Sequence, residues 1–146
     1  MTKRVLITGG AGFIGGHIAD LLLERAYEVI VLDNLATGSL SNLPHGVRFV
    51  EGDTSDLEML DRIAVRGLDA VLHIAGQASI RLSFADPAAD LNVNTLGTIR
   101  VLQACLKHHI PRLLYASSMV IYGGAPQTPT PETAPPEPVS YYAITK

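Results

Sequence analysis

The sequence predicts an α/β fold, a doubly wound parallel sheet with helices on both faces and strand order 3-2-1-4-5. Three observations carry this. Short apolar, β-branched runs alternate along the chain with longer stretches of helical periodicity. Between the first run and the first helix, Gly9, Gly12 and Gly15 stand at G-x-x-G-x-x-G spacing. The second run ends on an acid, Asp33, at the tip of a strand where such sheets place a carboxylate.

The elements follow in order. Val5-Leu6-Ile7-Thr8 is too short and too β-branched for a helix, so a buried strand is expected from Arg4 to Thr8. A helix is expected from Gly12 to Arg25, with Ile14, Ile18 and Leu21-Leu22-Leu23 on its apolar face. The sharp strand-to-helix turn needs backbone freedom at Gly9. A pyrophosphate must approach the main chain near Gly12, where a Cβ would intrude, and Gly15 lets the helix lie close to the sheet. The helix N-terminus then offers free N–H groups and a favourable dipole to the phosphates. This is the dinucleotide-binding turn of a Rossmann-type unit, although the glycines alone also suit a tight turn without a ligand.

Glu28 to Asp33 is the second strand, and residues 34 to 46 read as loop. Asp33 suits hydrogen bonds from ribose hydroxyls, with a simple strand-end turn as the alternative. A carboxylate there repels a 2′-phosphate, and Asn34-Leu35-Ala36-Thr37-Gly38 holds no arginine to attract one, which favours NAD over NADP. Val47 to Glu51 alternates as a third strand, followed by Gly52-Asp53 and a helix from Ser55 or Asp56 to Ala64. Ala70 to Ile74 is the fourth strand, and Gly76 to Ala85 a loop or irregular turn. Asp86 and Pro87 then cap and open a long helix to about His108, with Leu91, Leu96, Ile99, Leu102 and Leu106 on one broad apolar side. Arg112 to Ala116 is the fifth strand, ending on Ser117-Ser118. Prolines 126, 129, 131, 135, 136 and 138 make residues 124 to 139 a loop, and Val139 to Lys146 begins another helix.

At 146 residues the chain is one domain in size. It ends inside an element, so the expectation is an incomplete NAD-binding domain over residues 1–146, with the remaining strands and a C-terminal substrate-binding part outside it. A net charge of −3 leaves no basic face for nucleic acid and no polybasic segment for membranes. No apolar run approaches a membrane span, and no signal-peptide pattern opens the chain. A cytoplasmic protein is expected. The one cysteine, Cys105, reads as a small buried hydrophobe, and His73 as a packed strand residue rather than a metal ligand. No cluster has metal-ligand spacing. His108-His109 suits a helix C-terminus, and Glu132 and Glu137 read as solvated.

Tyr142 and Lys146 form Y-x-x-x-K at the start of that last helix. Positions i and i+4 share a face, so the ammonium would favour the phenolate and make Tyr142 a general base. A serine after the fifth strand can hydrogen-bond the same substrate oxygen.

With TGGAGFIGGH, the acid in LDNL, Gly52-Asp53, LHIAGQASI at 72–80, Asn94-x-x-Gly97-Thr98, SSMVIYG at 117–123 and YYAITK in order, the sequence resembles the N-terminal half of the extended short-chain dehydrogenases/reductases. Within them it is similar to the NAD-dependent nucleotide-sugar epimerases and dehydratases. The resemblance implies that Phe13 and Ile14 line the pyrophosphate turn, that Asp33 and Asn34 hold the adenosine ribose, and that Asp53 and Thr54 border the adenine. It implies that Ala75, Gly76 and Gln77 pass beside the cofactor and that Asn94 supports the active-site helix. Ser118, Tyr142 and Lys146 would be the catalytic trio, and Lys146 would also hold the nicotinamide ribose. Dehydratases of this family tend to show T-D-E-V-Y-G after the fifth strand; here Ser118-Met119-Val120 carries no acid. That points to the UDP-glucose 4-epimerase group, with a bound NAD and a nucleotide-sugar substrate, a UDP-sugar in that group. The alternatives are an NAD-binding fragment without activity, or a UDP-glucuronate decarboxylase or other nucleotide-sugar dehydratase. Pairing of two copies through the helix of 86–108 and the one from Val139 is likewise implied.

Overall fold

The computed structural model describes residues 2–64, 67–124 and 128–146. Five parallel strands lie in the order β3-β2-β1-β4-β5. They are β1 (Arg4–Thr8), β2 (Glu28–Asp33), β3 (Arg48–Glu51), β4 (Ala70–His73) and β5 (Leu113–Tyr115). The predicted order holds, with β3 starting one residue later than Val47 and β5 trimmed at both ends.

The period of two explains how one sheet serves two cores. Val5, Ile7, Val29 and Val31 point to one face, where Ala19 of α1 (Phe13–Glu24) closes over them. Leu6, Ile30, Leu32 and Val71 point to the other. They meet Leu60 and Ile63 of α2 (Leu57–Ala64) and Val101, Ala104 and Cys105 of α5 (Gly97–Lys107) there. Strands covered on both faces read as unbroken apolar runs, which is how β1 and β2 appear in the sequence.

Two expectations need correction. The stretch from Gly76 to Ala85 is not all loop: its second half is α3 (Ile80–Ala85), with Ser79 Oγ accepting from the Leu82 N–H at 3.3 Å. Six residues are too few to show a helical period. The long helix is broken into α4 (Pro87–Leu91), a π-helical segment (Asn92–Leu96) and α5. Asp86 caps α4 as expected, accepting from the Ala89 N–H at 2.9 Å. The apolar side of this run does not face the core, because Leu91, Ile99, Leu102 and Leu106 are exposed, Leu106 to 76%. The buried stripe is instead Gly97, Val101, Ala104 and Cys105, whose small side chains let α5 lie close to β4 and α2.

Cys105 is buried, and burial pushes its thiol pKa up. His108 caps the C-terminus of α5 and has a partner there: its Nε2 lies 2.8 Å from Asp61 Oδ1, and Lys107 Nζ donates to Asp61 Oδ2 at 2.5 Å. These bonds tie α5 to α2, and the Lys107 bond foremost holds the Asp61 carboxyl below the usual carboxylate range. A 3-10 turn (Met119–Tyr122) follows β5, with Ser118 at its N-cap. Residues 128–139 carry no regular element, and Glu132 and Glu137 are exposed; Pro126 lies outside the described residues. The last element, α6 (Tyr141–Thr145), is capped by Ser140 Oγ accepting from the Ala143 N–H at 3.1 Å. No helix among the described residues is long and apolar enough to cross a membrane.

Candidate active site

At the carboxyl ends of the strands, where β1 turns one way to β2 and the other to β4, a cleft of about 540 Å³ opens. An open sheet places its ligand at this switch point. A second, more open hollow lies between α1 and the turn at 41–45, away from the strand ends.

The glycine turn forms the near wall. Gly9 has φ +73°, and a Cβ there would lie 2.6 Å from the Ala75 nitrogen, so only glycine fits. A Cβ on Gly15 would run into the Gly9 carbonyl and Gly10, so this glycine keeps the turn itself tight. Gly12 differs: its nearest neighbour would be the Gly9 oxygen at 3.3 Å, and the rest of the space is open cleft. Gly12 is the N-cap of α1 and offers no side chain to the first N–H groups of the helix. Phe13, Ile14 and Gly15, which carry those groups, line the cleft. The turn therefore fits a phosphate group, which would occupy the space a Cβ at Gly12 would take and accept from the uncapped N–H groups.

Asp33 and Asn34 stand at the tip of β2, in the same cleft as Asp53 and Thr54 from the segment after β3. Asp33 is 9% exposed and accepts from the Ala11 N–H at 2.9 Å and the Leu35 N–H at 2.8 Å. It thus holds the turn in place, and each oxygen retains a second lone pair. Asn34 Nδ2 donates to Asp53 Oδ2 at 2.7 Å, and the Ser55 N–H donates to Asp53 Oδ1 at 2.8 Å. Burial alone would raise the Asp53 pKa; the Ser55 and Asn34 hydrogen bonds outweigh it and hold the carboxyl below its usual value. Among the described residues the cleft lining contains these two acids and no lysine or arginine.

The far wall comes from the loop after β4. Ala75, Gly76 and Gln77 line the cleft. Asn94 lies behind them, 2% exposed, in the π segment. Its Oδ1 accepts from the Gln77 N–H at 2.8 Å, and its Nδ2 donates to Gln77 O and Thr145 Oγ1, both at 3.1 Å. The position a Cβ would take on Gly76 is bounded by Asn94 Oδ1 at 3.0 Å and Lys146 Nζ at 3.4 Å. The Lys146 ammonium thus lies next to Gly76, behind the cleft lining, and 4.7 Å from the centre of the Tyr115 ring. Burial lowers its pKa, and Asp90 partly offsets this. Tyr142 is 8% exposed on α6, which packs on the 3-10 turn capped by Ser118. Neither Tyr142 nor Ser118 is part of the cleft lining. Ser118 Oγ accepts from the Val120 N–H at 3.5 Å, and it is Ser117 Oγ that bonds the Lys146 carbonyl, at 2.9 Å.

Several residues to which the sequence assigned no direct contact belong here. Ala36, Thr37 and Gly38 close the cleft above Asp33, and Leu82 and Val93 enter from α3 and the π segment. Gly52 and Ile74 were legible as strand ends; Leu82 sits on a helix that shows no period. Asp90, 1% exposed, is a buried carboxylate with no distinguishing signal beyond its spacing of four from Asn94. Among the described residues no three His, Cys, Asp or Glu side chains gather in a group that could hold a metal.

The comparisons agree with this architecture. The model of the NAD dependent epimerase/dehydratase family matches residues 5–146. A putative UDP-glucose 4-epimerase of Methanocaldococcus jannaschii is 40% identical over 97% of this chain and 47% of its own length. A UDP-glucose 4-epimerase of Azospirillum brasilense is 35% identical over 99% of this chain and 42% of its own. The crystal structure of Thermus thermophilus UDP-glucose 4-epimerase in complex with NAD superposes with TM-score 0.91 at 48% identity, covering 98% of this chain and 47% of that one. That of the Thermotoga maritima enzyme with UDP-glucose gives 0.94 at 40% identity, covering 98% and 47%. The chain spans about half the length of the relatives it matches. It belongs to the NAD dependent epimerase/dehydratase family.

Proposed function

We propose that this chain builds the NAD site and the acid–base groups of a nucleotide-sugar 4-epimerase of the UDP-glucose type. The observation that carries the proposal is the meeting of the uncapped glycine turn and Asp33 around one cleft at the strand ends, with the Lys146 ammonium close behind Gly76 in its wall. The names of the relatives support the choice of substrate class. So does the segment Ser118-Met119-Val120, which lacks the acid an elimination would use.

Gly12, Phe13 and Ile14 hold the pyrophosphate, Asp33 and Asn34 the adenosine ribose, and Asp53 and Thr54 the edge of the adenine. Ala75, Gly76 and Gln77 lie along the nicotinamide half. The absence of a cation from the lining, together with Asp33, disfavours a 2′-phosphate. Bound NAD would supply reversible hydride transfer at the sugar C4. Tyr142 Oη removes the proton of the C4 hydroxyl, and Ser118 Oγ shares that hydrogen bond. Lys146, one helical turn from Tyr142, holds the nicotinamide ribose. Asn94, bonded to Thr145, supports the helix that carries Tyr142. The remaining grip on the sugar nucleotide comes from a C-terminal part of the kind that fills the unmatched length of the relatives. Two copies pair through the exposed Leu91, Ile99, Leu102 and Leu106 and the outer side of α6.

A dinucleotide-binding module without turnover is the second reading, since Ser118 and Tyr142 stand outside the cleft lining. Tyr142→Phe separates the two. In the protein carrying its C-terminal part, conversion of UDP-galactose to UDP-glucose should fall by about a thousandfold, with NAD affinity nearly unchanged. Turnover that survives the substitution means that Tyr142 is not the base.

A further inference from the structure

Asp90 is a fully buried carboxylate, 1% exposed, to which the mechanism above assigns no role. Its Oδ1 accepts from Gln77 Nε2 at 2.6 Å, and its Oδ2 accepts from Thr145 Oγ1 at 2.6 Å. Asn94 Nδ2 approaches Oδ1 at 3.4 Å. These three donors are neutral and come from separate segments: the loop after β4, the π segment and α6. Burying a polar side chain costs free energy unless it is hydrogen-bonded, and an apolar side chain of the same size would serve packing as well. What the Asp90 carboxyl group adds is direction. Both of its oxygens accept here, so Gln77 presents its amide hydrogens and Thr145 its hydroxyl hydrogen.

The helix α6 has five residues, too few to stand by itself. Thr145 is its last residue and precedes Lys146, whose ammonium and the Asn94 Oδ1 together bound the space at Gly76. The Asp90 link therefore joins the backbone that places Lys146 to the loop that walls the cleft beside it. Resting on the cofactor reading above, we propose that Asp90 is a positioning residue: through Thr145 it latches α6, with Tyr142 and Lys146, against the nicotinamide half of the site.

The test is calorimetric titration of the purified protein with NAD and, separately, with ADP, which probes only the glycine turn and the Asp33 end. Thr145→Val removes the hydroxyl at nearly constant shape; it should weaken NAD about tenfold while leaving ADP within about twofold. Thr145→Ser keeps the hydroxyl and should bind both like the parent. Asp90→Leu, which removes both acceptor oxygens at similar size, should weaken NAD as the valine variant does and leave ADP within about twofold. Thr145→Ala gives the same readout as valine should the valine variant not fold. Equal losses for NAD and ADP, or no loss of NAD, overturn the latch and leave the cofactor reading standing. A parent protein that binds NAD no tighter than ADP overturns both.

Discussion

His73 shows how a single buried side chain sets the response of the fold to acid. It is 0% exposed, with Nδ1 2.6 Å from Thr8 Oγ1 and Nε2 2.9 Å from Thr98 Oγ1. Thr98 donates its hydroxyl to the Asn94 carbonyl at 2.5 Å, so it accepts from an Nε2–H, and Thr8 donates to a bare Nδ1. The ring is neutral, as burial first and the Lys146 charge second require; together they push its pKa down to about 4. The unfolded chain takes up that proton near 6.5 and the folded one only near 4. Between these values the unfolded state binds more protons, so stability falls as the pH falls through this window. The loss from this residue should total about 3 kcal/mol at pH 4 and be absent above pH 7. Urea unfolding of His73→Gln across the same range should show a correspondingly shallower decline; an unchanged slope would place the acid sensitivity elsewhere. The packed role of His73 was legible in the sequence because it interrupts an apolar strand. Its partners were not, because Thr98 comes from a helix that the chain reaches only 25 residues later.

At the scale of the element, the glycine turn separates what the fold needs from what a ligand needs. Gly15→Ala forces a Cβ into the Gly9 carbonyl and should destabilise the protein by about 3 kcal/mol or more. Gly12→Ala meets only the Gly9 oxygen at 3.3 Å. Thermal unfolding of the Gly12→Ala protein should therefore stay within about 1 kcal/mol of the parent, while its NAD binding collapses. A large stability loss at Gly12, with binding preserved, would reverse the assignment of the two positions. The turn, both flanking strands and their order were readable because strand runs, glycine spacing and Asp33 are all local signals. Helix α3 and the π segment were not. The first is too short for periodicity, and the second depends on hydrogen bonds among Asn94, Gln77 and Thr145 that no single window contains. Tyr142 and Lys146 were legible as a pair, whereas the place of the Lys146 ammonium beside Gly76 and Asn94 emerges only from the packing of α6.

For the molecule as a whole, the feature that points beyond a single copy is an apolar side turned outward. Ile99, Leu102 and Leu106 follow one another at helical spacing on α5 and are all exposed, with Leu91 one segment earlier. If two copies meet there, Leu102→Glu should convert the dimer to a monomer in sedimentation velocity without altering the far-UV dichroism. A sedimentation coefficient that the charge leaves unmoved removes this surface from the proposed pairing. The side was visible in the sequence; the direction it faces was not, because periodicity marks an apolar side without saying what covers it. Five residues wound at about 4.4 per turn lag those of an α-helix by about 90° in angular phase. Before the lag, Asp90 faces α6. After it, Val101, Ala104 and Cys105 face β4 and α2. One helical rod thereby presents two differently aimed inner sides. The polar groups at its start and the apolar groups further on therefore never compete for the same bearing.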